Sequence, residues 1–190
     1  MKDIEQINNP FQDNKVIDAC SIFGMMDTSG RRFSGEDIIK AIANMHVRGN
    51  GLGGGLAVYG IYPDYADSYA FHVMYLSQRA QQETEDFLIQ RFHMVHTEEV
   101  PTRPARGIVD PPAVWRYFVN VTPDRSNGKS ADDYVVDRVM DINTKINDAF
   151  VFSSGKNMGV FKGVGYPEEI ADYFRLEEYE GYLWTAHGRF

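Results

Sequence analysis

Cys20-Ser21-Ile22-Phe23-Gly24-Met25-Met26-Asp27-Thr28-Ser29-Gly30 is where the texture of this chain changes. Residues 1–19 before it are polar and mixed in charge. Asn8-Asn9-Pro10 and Gln12-Asp13-Asn14 offer turn chemistry and little to bury, so the segment reads as a leader or propeptide. The apolar run Ser21 to Met26 predicts a buried strand, and Asp27-Thr28-Ser29-Gly30 predicts a turn after it. The single cysteine thus stands at the junction of a dispensable segment and the first strand. A free cysteine is most often a small buried hydrophobe. The other reading is that the leader is cut away and Cys20 becomes the first residue. A freed α-amino group, with a pKa of about 8, can then take the proton from the adjacent thiol, so no separate histidine is needed.

Beyond the turn, Ser34 is expected to cap a helix, with Asp37 three residues on and Ile38, Ala41, Ile42 and Met45 on one face. Gly49 is expected to end it in the left-handed conformation. Leu56 to Tyr62 reads as a strand. From about 64 to 149 the pattern changes to an inserted α+β unit. Its strands fall at Tyr69–Tyr75, Phe92–Val95 and Trp115–Val121, and its helices at Gln78–Phe92 and around Val135, Val139, Ile142 and Ile146. Ser130 and Asp133 stand at the start of the second helix, after a Ser126-Asn127-Gly128-Lys129 turn. Phe150–Phe152 and Met158–Phe161 are expected to close the unit as strands around a Ser154-Gly155-Lys156-Asn157 turn. The order β-α-β-β-α-β predicts a ferredoxin-like arrangement. The chain then ends on Tyr182-Leu183-Trp184-Thr185-Ala186-His187-Gly188-Arg189-Phe190, read as a strand running into a polar site, and the natural protein is expected to continue past it.

Bulk properties bound the function. At 190 residues, 43% hydrophobic and 24% charged, the chain has the composition of one globular domain. A formal net charge of −8 without a basic run argues against nucleic-acid phosphates and against a basic membrane patch. One cysteine excludes an internal disulfide, and no apolar stretch has the length of a membrane span or the form of a secretory signal, so a cytoplasmic protein is expected.

Three motifs in order carry a resemblance. Cys20-Ser21-Ile22-Phe23-Gly24 resembles the Cys-Gly-Ile-Phe-Gly start of class II glutamine amidotransferases, which are N-terminal-nucleophile hydrolases, with Ser21 in place of the glycine. His46-Val47-Arg48-Gly49 is similar to that family's His-Arg-Gly segment with one residue inserted. His187-Gly188-Arg189-Phe190 is similar to its His-x-Arg segment. The runs Arg48 to Gly55 and Phe152 to Gly163 resemble the glutaminase-like component of archaeal and bacterial split glutamate synthases, and the likeness extends from about Cys20 to Phe190.

The resemblance implies an N-terminal-nucleophile (αββα) sandwich over 20–190, incomplete at its C-terminal side. It implies Cys20 as the nucleophile that converts glutamine to glutamate and ammonia through a thioester. Arg189 would hold the substrate carboxylate, a role suited to the planar guanidinium, with Arg48, Gly49 and His187 completing the substrate pocket. No metal or cofactor is implied in this chain. A synthase subunit carrying flavin and iron–sulfur centres is implied as partner. The family's oxyanion Asn-Gly pair and its amine-binding aspartate would lie beyond Phe190, so the chain alone is expected to be a poor glutaminase. The alternative from another class is a non-catalytic binding or regulatory subunit of a synthase complex, whose leader is never removed.

Other signals weigh less. Gly49-Asn50-Gly51-Leu52-Gly53-Gly54 matches G-x-G-x-x-G but follows a helix and precedes a strand, the reverse of a dinucleotide fingerprint. It reads as a turn where backbones pass closely. His93-x-x-His96 lacks a second ligand pair and reads as a solvated face. Asn120-Val121-Thr122 fits the glycosylation pattern but lacks the secretory context. Trp115, Tyr117 and Phe118 read as core and interface.

Overall fold

Alternating burial along two strands shows how the molecule is layered. In β4 (Tyr69–Tyr75), Ala70 and His72 point to one core while Tyr69, Phe71, Val73 and Tyr75 point to another, so the strand is closed on both faces. The computed structural model describes residues 20–49, 51–126 and 128–189, and the leader expected at 1–19 lies outside them. Among these residues it is a mixed α+β protein with antiparallel sheets and five α-helices.

The first four-stranded sheet has the order β1 (Ser21–Met26), β10 (Leu183–Gly188), β3 (Gly54–Tyr59), β8 (Met158–Gly163), each pair antiparallel. One face carries Leu56, Val58, Phe161, Trp184 and Ala186, and packs on α1 (Glu36–Ala43) and α5 (Pro167–Tyr173). The indole of Trp184 is fully buried and donates to the carbonyls of Phe33 and Gly181, which ties in the small sheet of β2 (Phe33–Ser34) and β9 (Glu180–Gly181).

The second sheet has the order β5 (His93–Glu99), β6 (Ala113–Asn120), β4, β7 (Ala149–Ser153), again antiparallel. α2 (Gln78–Arg91) and α4 (Ala131–Lys145) cover one face with Leu88, Val135 and Ile142; α3 (Pro123–Ser126) is a single turn between β6 and α4. The β-α-β-β-α-β element order read from the sequence is the order seen, with the last strand running to Ser153. Ser130 caps α4, accepting from the Asp133 backbone N–H.

Several expectations are corrected. β1 is not a buried strand: it is the edge of its sheet, with Ile22 70% and Met26 58% exposed. β8 does not close the second unit with β7. It pairs with β3 in the first sheet, because the chain from Ser154 to Asn157 crosses between sheets instead of folding back on itself. Gly35, not Ser34, is the N-cap of α1, since Ser34 lies in β2 and its hydroxyl donates to the Glu177 carbonyl. α1 ends at Ala43 and is followed by a 3-10 turn over His46–Arg48, after which Gly49 takes extended angles rather than the left-handed region. β3 stops at Tyr59, where Gly60 has φ +80.

α5 and the 3-10 turn Leu176–Glu178 were not anticipated from the sequence. The signal was there: Pro167 at the first helical position, followed by Glu168 and Glu169, is a helix start.

The two sheets are joined by a buried polar network. His72 is fully buried; its Nδ1–H donates to the Val160 carbonyl at 2.9 Å, which leaves Nε2 to accept from Tyr62 Oη at 2.8 Å. Tyr62 Oη in turn accepts from Arg116 Nη1 at 3.0 Å, and Arg116 pairs with Glu98. Burial pushes the Tyr62 phenol well above its usual range, so it remains a donor.

Candidate functional site

The antiparallel register puts the start of β1, the end of β10 and the start of β3 at one end of the first sheet. Ser21 pairs with Gly188 and Gly188 with Gly54, so Cys20 and Arg189 extend two neighbouring strands at that end. The Arg189 backbone N–H donates to the Gly53 carbonyl at 2.9 Å, which continues the β10–β3 ladder one step further. Cys20 is exposed, as are Arg48 and Arg189.

A narrow crevice at this end is lined by Ser21, His46, Gly49, Gly53, Glu168 and Arg189, among others. Of the residues singled out in the sequence, Gly49 and Arg189 line it, and Ser21 attaches Cys20 to it. Arg48 follows on the 3-10 turn that carries His46. His187 is different. It alternates with Gly188 along β10 and shares the opposite face of the sheet with Ile22 and Gly55.

That opposite face is open. Ile22, Met26 and Tyr59 are exposed large hydrophobics on it, beside Ala57, Val160, Lys162, Thr185 and His187. It runs into an apolar cavity of about 800 Å³ lined by Ile108, Val109, Val164, Tyr173 and Phe174, and by His187 and Arg189. Contiguous exposed apolar surface of this kind marks an interaction or binding surface.

Sequence reading missed Tyr166 and Glu168, which meet His46 and Gly51 at this crevice. His46 Nδ1 lies 2.5 Å from Glu168 Oε1, and its ring stacks on Tyr166 with centroids 3.7 Å apart. Glu168 Oε2 is buried and has no partner among the described residues. Gly51, at φ +72, lies so close to the Tyr166 ring that a Cβ there would be 3.0 Å from Cε2. Asn50 of the glycine run lies outside the described residues; Gly49 lies against the same ring, and at Gly54 backbones pass closely, since a Cβ there would be 2.9 Å from the His187 carbonyl oxygen. A carboxylate 122 residues away in sequence from its histidine leaves no local pattern by which to find it.

Elsewhere, His93 is exposed, while the His96 ring stacks near Tyr65 and lies 3.8 Å from Glu98. Among the described residues no three His, Cys, Asp or Glu side chains converge to hold a metal ion, and no helix is long and apolar enough to cross a membrane. Tyr117 and Phe118 are fully buried, in the two different cores, and Trp115 packs against Tyr117.

Compared with known families, the chain matches no family model. It is similar to an uncharacterized protein of Archaeoglobus fulgidus, 58% identical over 176 residues, which covers 90% of this chain and 47% of that protein. The chain therefore spans about half the length of the curated relative it matches.

Proposed function

We propose that this chain supplies the nucleophile half of a class II glutamine amidotransferase site, with Cys20 as the nucleophile once the preceding segment is removed. The observation that carries the reading is the shared sheet end: Cys20 and Arg189, named from separate motifs, extend neighbouring strands there, and Gly49 lines the same crevice as Arg189. The freed α-amino group of Cys20 takes the thiol proton, and the sulfur attacks the side-chain carbonyl carbon of glutamine. The tetrahedral adduct collapses as that proton passes to the leaving nitrogen, releasing ammonia and leaving a thioester. Water then attacks the thioester carbon and returns glutamate and the thiol. Arg189 pairs with the α-carboxylate of glutamine, with Arg48 and Gly49 shaping the pocket beside the sulfur. His187, on the open face, acts at the edge of the pocket or against whatever covers that face.

In the same reading the fold is an N-terminal-nucleophile αββα sandwich with a ferredoxin-like insertion. The open apolar face of the first sheet then receives the second sheet from polypeptide outside residues 1–190. The greater length of the Archaeoglobus fulgidus relative is consistent with this. The oxyanion donors would come from that second half, and the ammonia would pass to a glutamate-synthase-type subunit carrying the flavin and iron–sulfur centres. The strand order β5-β6-β4-β7 supports the ferredoxin-like part, because it interleaves the two β-α-β units.

The test treats full-length protein with an electrophilic glutamine analogue and reads intact mass. Loss of the first 19 residues with one label, abolished by Cys20→Ala, is the expected result. An intact N-terminus without label would overturn the catalytic reading and favour a non-catalytic subunit that docks through the open face.

A further inference from the structure

We propose that Glu168, His46 and Tyr166 form a clamp that sets the positions of Gly49 and Gly51, and so the affinity of the site for the carboxylate of its amino-acid substrate; the substrate part rests on the amidotransferase reading. The clamp joins segments 122 residues apart in sequence. His46 sits on the 3-10 turn after α1, whereas Tyr166 and Glu168 open α5, and the 2.5 Å pair between His46 and Glu168 holds the two together. The imidazole lies flat on the phenol ring, with 24° between the planes. The same ring supports the glycine run: a Cβ at Gly49 would lie 3.4 Å from Tyr166 Cε1, and one at Gly51 3.0 Å from Cε2. Glycine at 51 lets the backbone rest on the ring at φ +72, where a Cβ would crowd it.

From there the chain reaches Gly53, whose carbonyl accepts the Arg189 N–H. The clamp therefore bears on the crevice at Gly49 and Gly51, and Arg189 is tied to the same crevice through Gly53. A guanidinium recognises a carboxylate best when the backbone that carries it is held, because a long side chain otherwise gives up more freedom on binding. Tyr166 itself is tied down from behind, its backbone N–H donating to Glu169 Oε2 at 3.2 Å. None of the three side chains is asked to touch the reacting bond. They are positioning residues, and their loss should weaken binding and leave the chemical step nearly unchanged.

The experiment uses the full-length protein and four variants, His46→Ala, Glu168→Ala, Tyr166→Leu and the conservative Tyr166→Phe. Amide exchange is followed by NMR, and kcat and KM are measured with glutamine. His46→Ala, Glu168→Ala and Tyr166→Leu are expected to speed exchange at Gly49, Gly51 and Gly53 at least tenfold while the amides of β3 and β10 keep their protection. In the same variants KM should rise about tenfold or more with kcat within about threefold. Tyr166→Phe keeps the ring and should restore wild-type behaviour in both. Exchange that accelerates throughout the first sheet would make the cluster a general support of the fold and overturn the proposal, as would unchanged exchange in the turn or a fall in kcat alone. If the wild-type protein hydrolyses no glutamine, the amidotransferase reading falls by itself, and the exchange pattern still decides whether the clamp exists.

Discussion

His72 is a histidine with no freedom to charge. Burial holds its pKa down at about 3 from the usual 6.5, against the pull of the Val160 carbonyl and helped by the nearby Arg116. The unfolded chain takes up a proton on this ring below about pH 6.5, whereas the folded protein refuses it until about pH 3. Stability from the neutral ring is thus full above pH 6.5 and is lost as the pH falls toward 3, at up to about 1.4 kcal/mol per pH unit. His72→Gln removes the titrating group, so its urea stability should fall less steeply than wild type between about pH 6.5 and pH 4.5; parallel slopes would show that another group causes the acid loss. Gly159 belongs to the same network. A Cβ there would meet Tyr62 Oη at 2.8 Å and His72 Cε1 at 2.9 Å, both held by hydrogen bonds, so Gly159→Ala should cost about 2 kcal/mol or more in equilibrium unfolding.

The exposed edge of β7 is managed by a helix. Asn143 of α4 both donates to the Val151 carbonyl at 3.0 Å and accepts the Val151 N–H at 2.7 Å, a side-chain amide standing in for a neighbouring strand. Replacing it uncovers a backbone pair on an edge strand, a setting that invites pairing with other chains. Asn143→Ala should lower stability by about 1–3 kcal/mol and bring on light scattering at lower protein concentration; a soluble, equally stable variant would show that the edge is protected by other means. At the far end of the same helix, Ser130→Ala should cost about 1 kcal/mol through loss of its N-cap bond.

At the scale of the molecule, the asymmetry of the first sheet dominates. One face is closed by α1 and α5 and the other leaves Ile22, Met26 and Tyr59 in water. A chain of these 190 residues should therefore bind an apolar dye and self-associate as its concentration rises. Ile22→Lys together with Met26→Lys should reduce both without loss of the second sheet's cooperative unfolding. Sedimentation and dye fluorescence across a dilution series check this, and a wild-type monomer that binds no dye would mean the face is satisfied as it stands.

The sequence by itself determined the elements whose signals are local. The strand Tyr69–Tyr75, the capped helix at Ser130, the β-α-β-β-α-β order and the Asp27–Gly30 turn all follow from periodicity, caps and turn residues within a few positions of one another. Cys20, Arg48, Gly49, His187 and Arg189 stand out in the sequence as motifs, but that Gly49 and Arg189 line one crevice is visible only in the fold. Only the tertiary structure decided that β8 crosses to the first sheet, that β1 is an edge, and that Glu168 meets His46. Each of these depends on which strand pairs with which across a hundred residues or so. The same apolar alternation serves a central strand, an edge strand and either of two sheets, so pairing is settled by packing of the whole and leaves no mark in the local pattern.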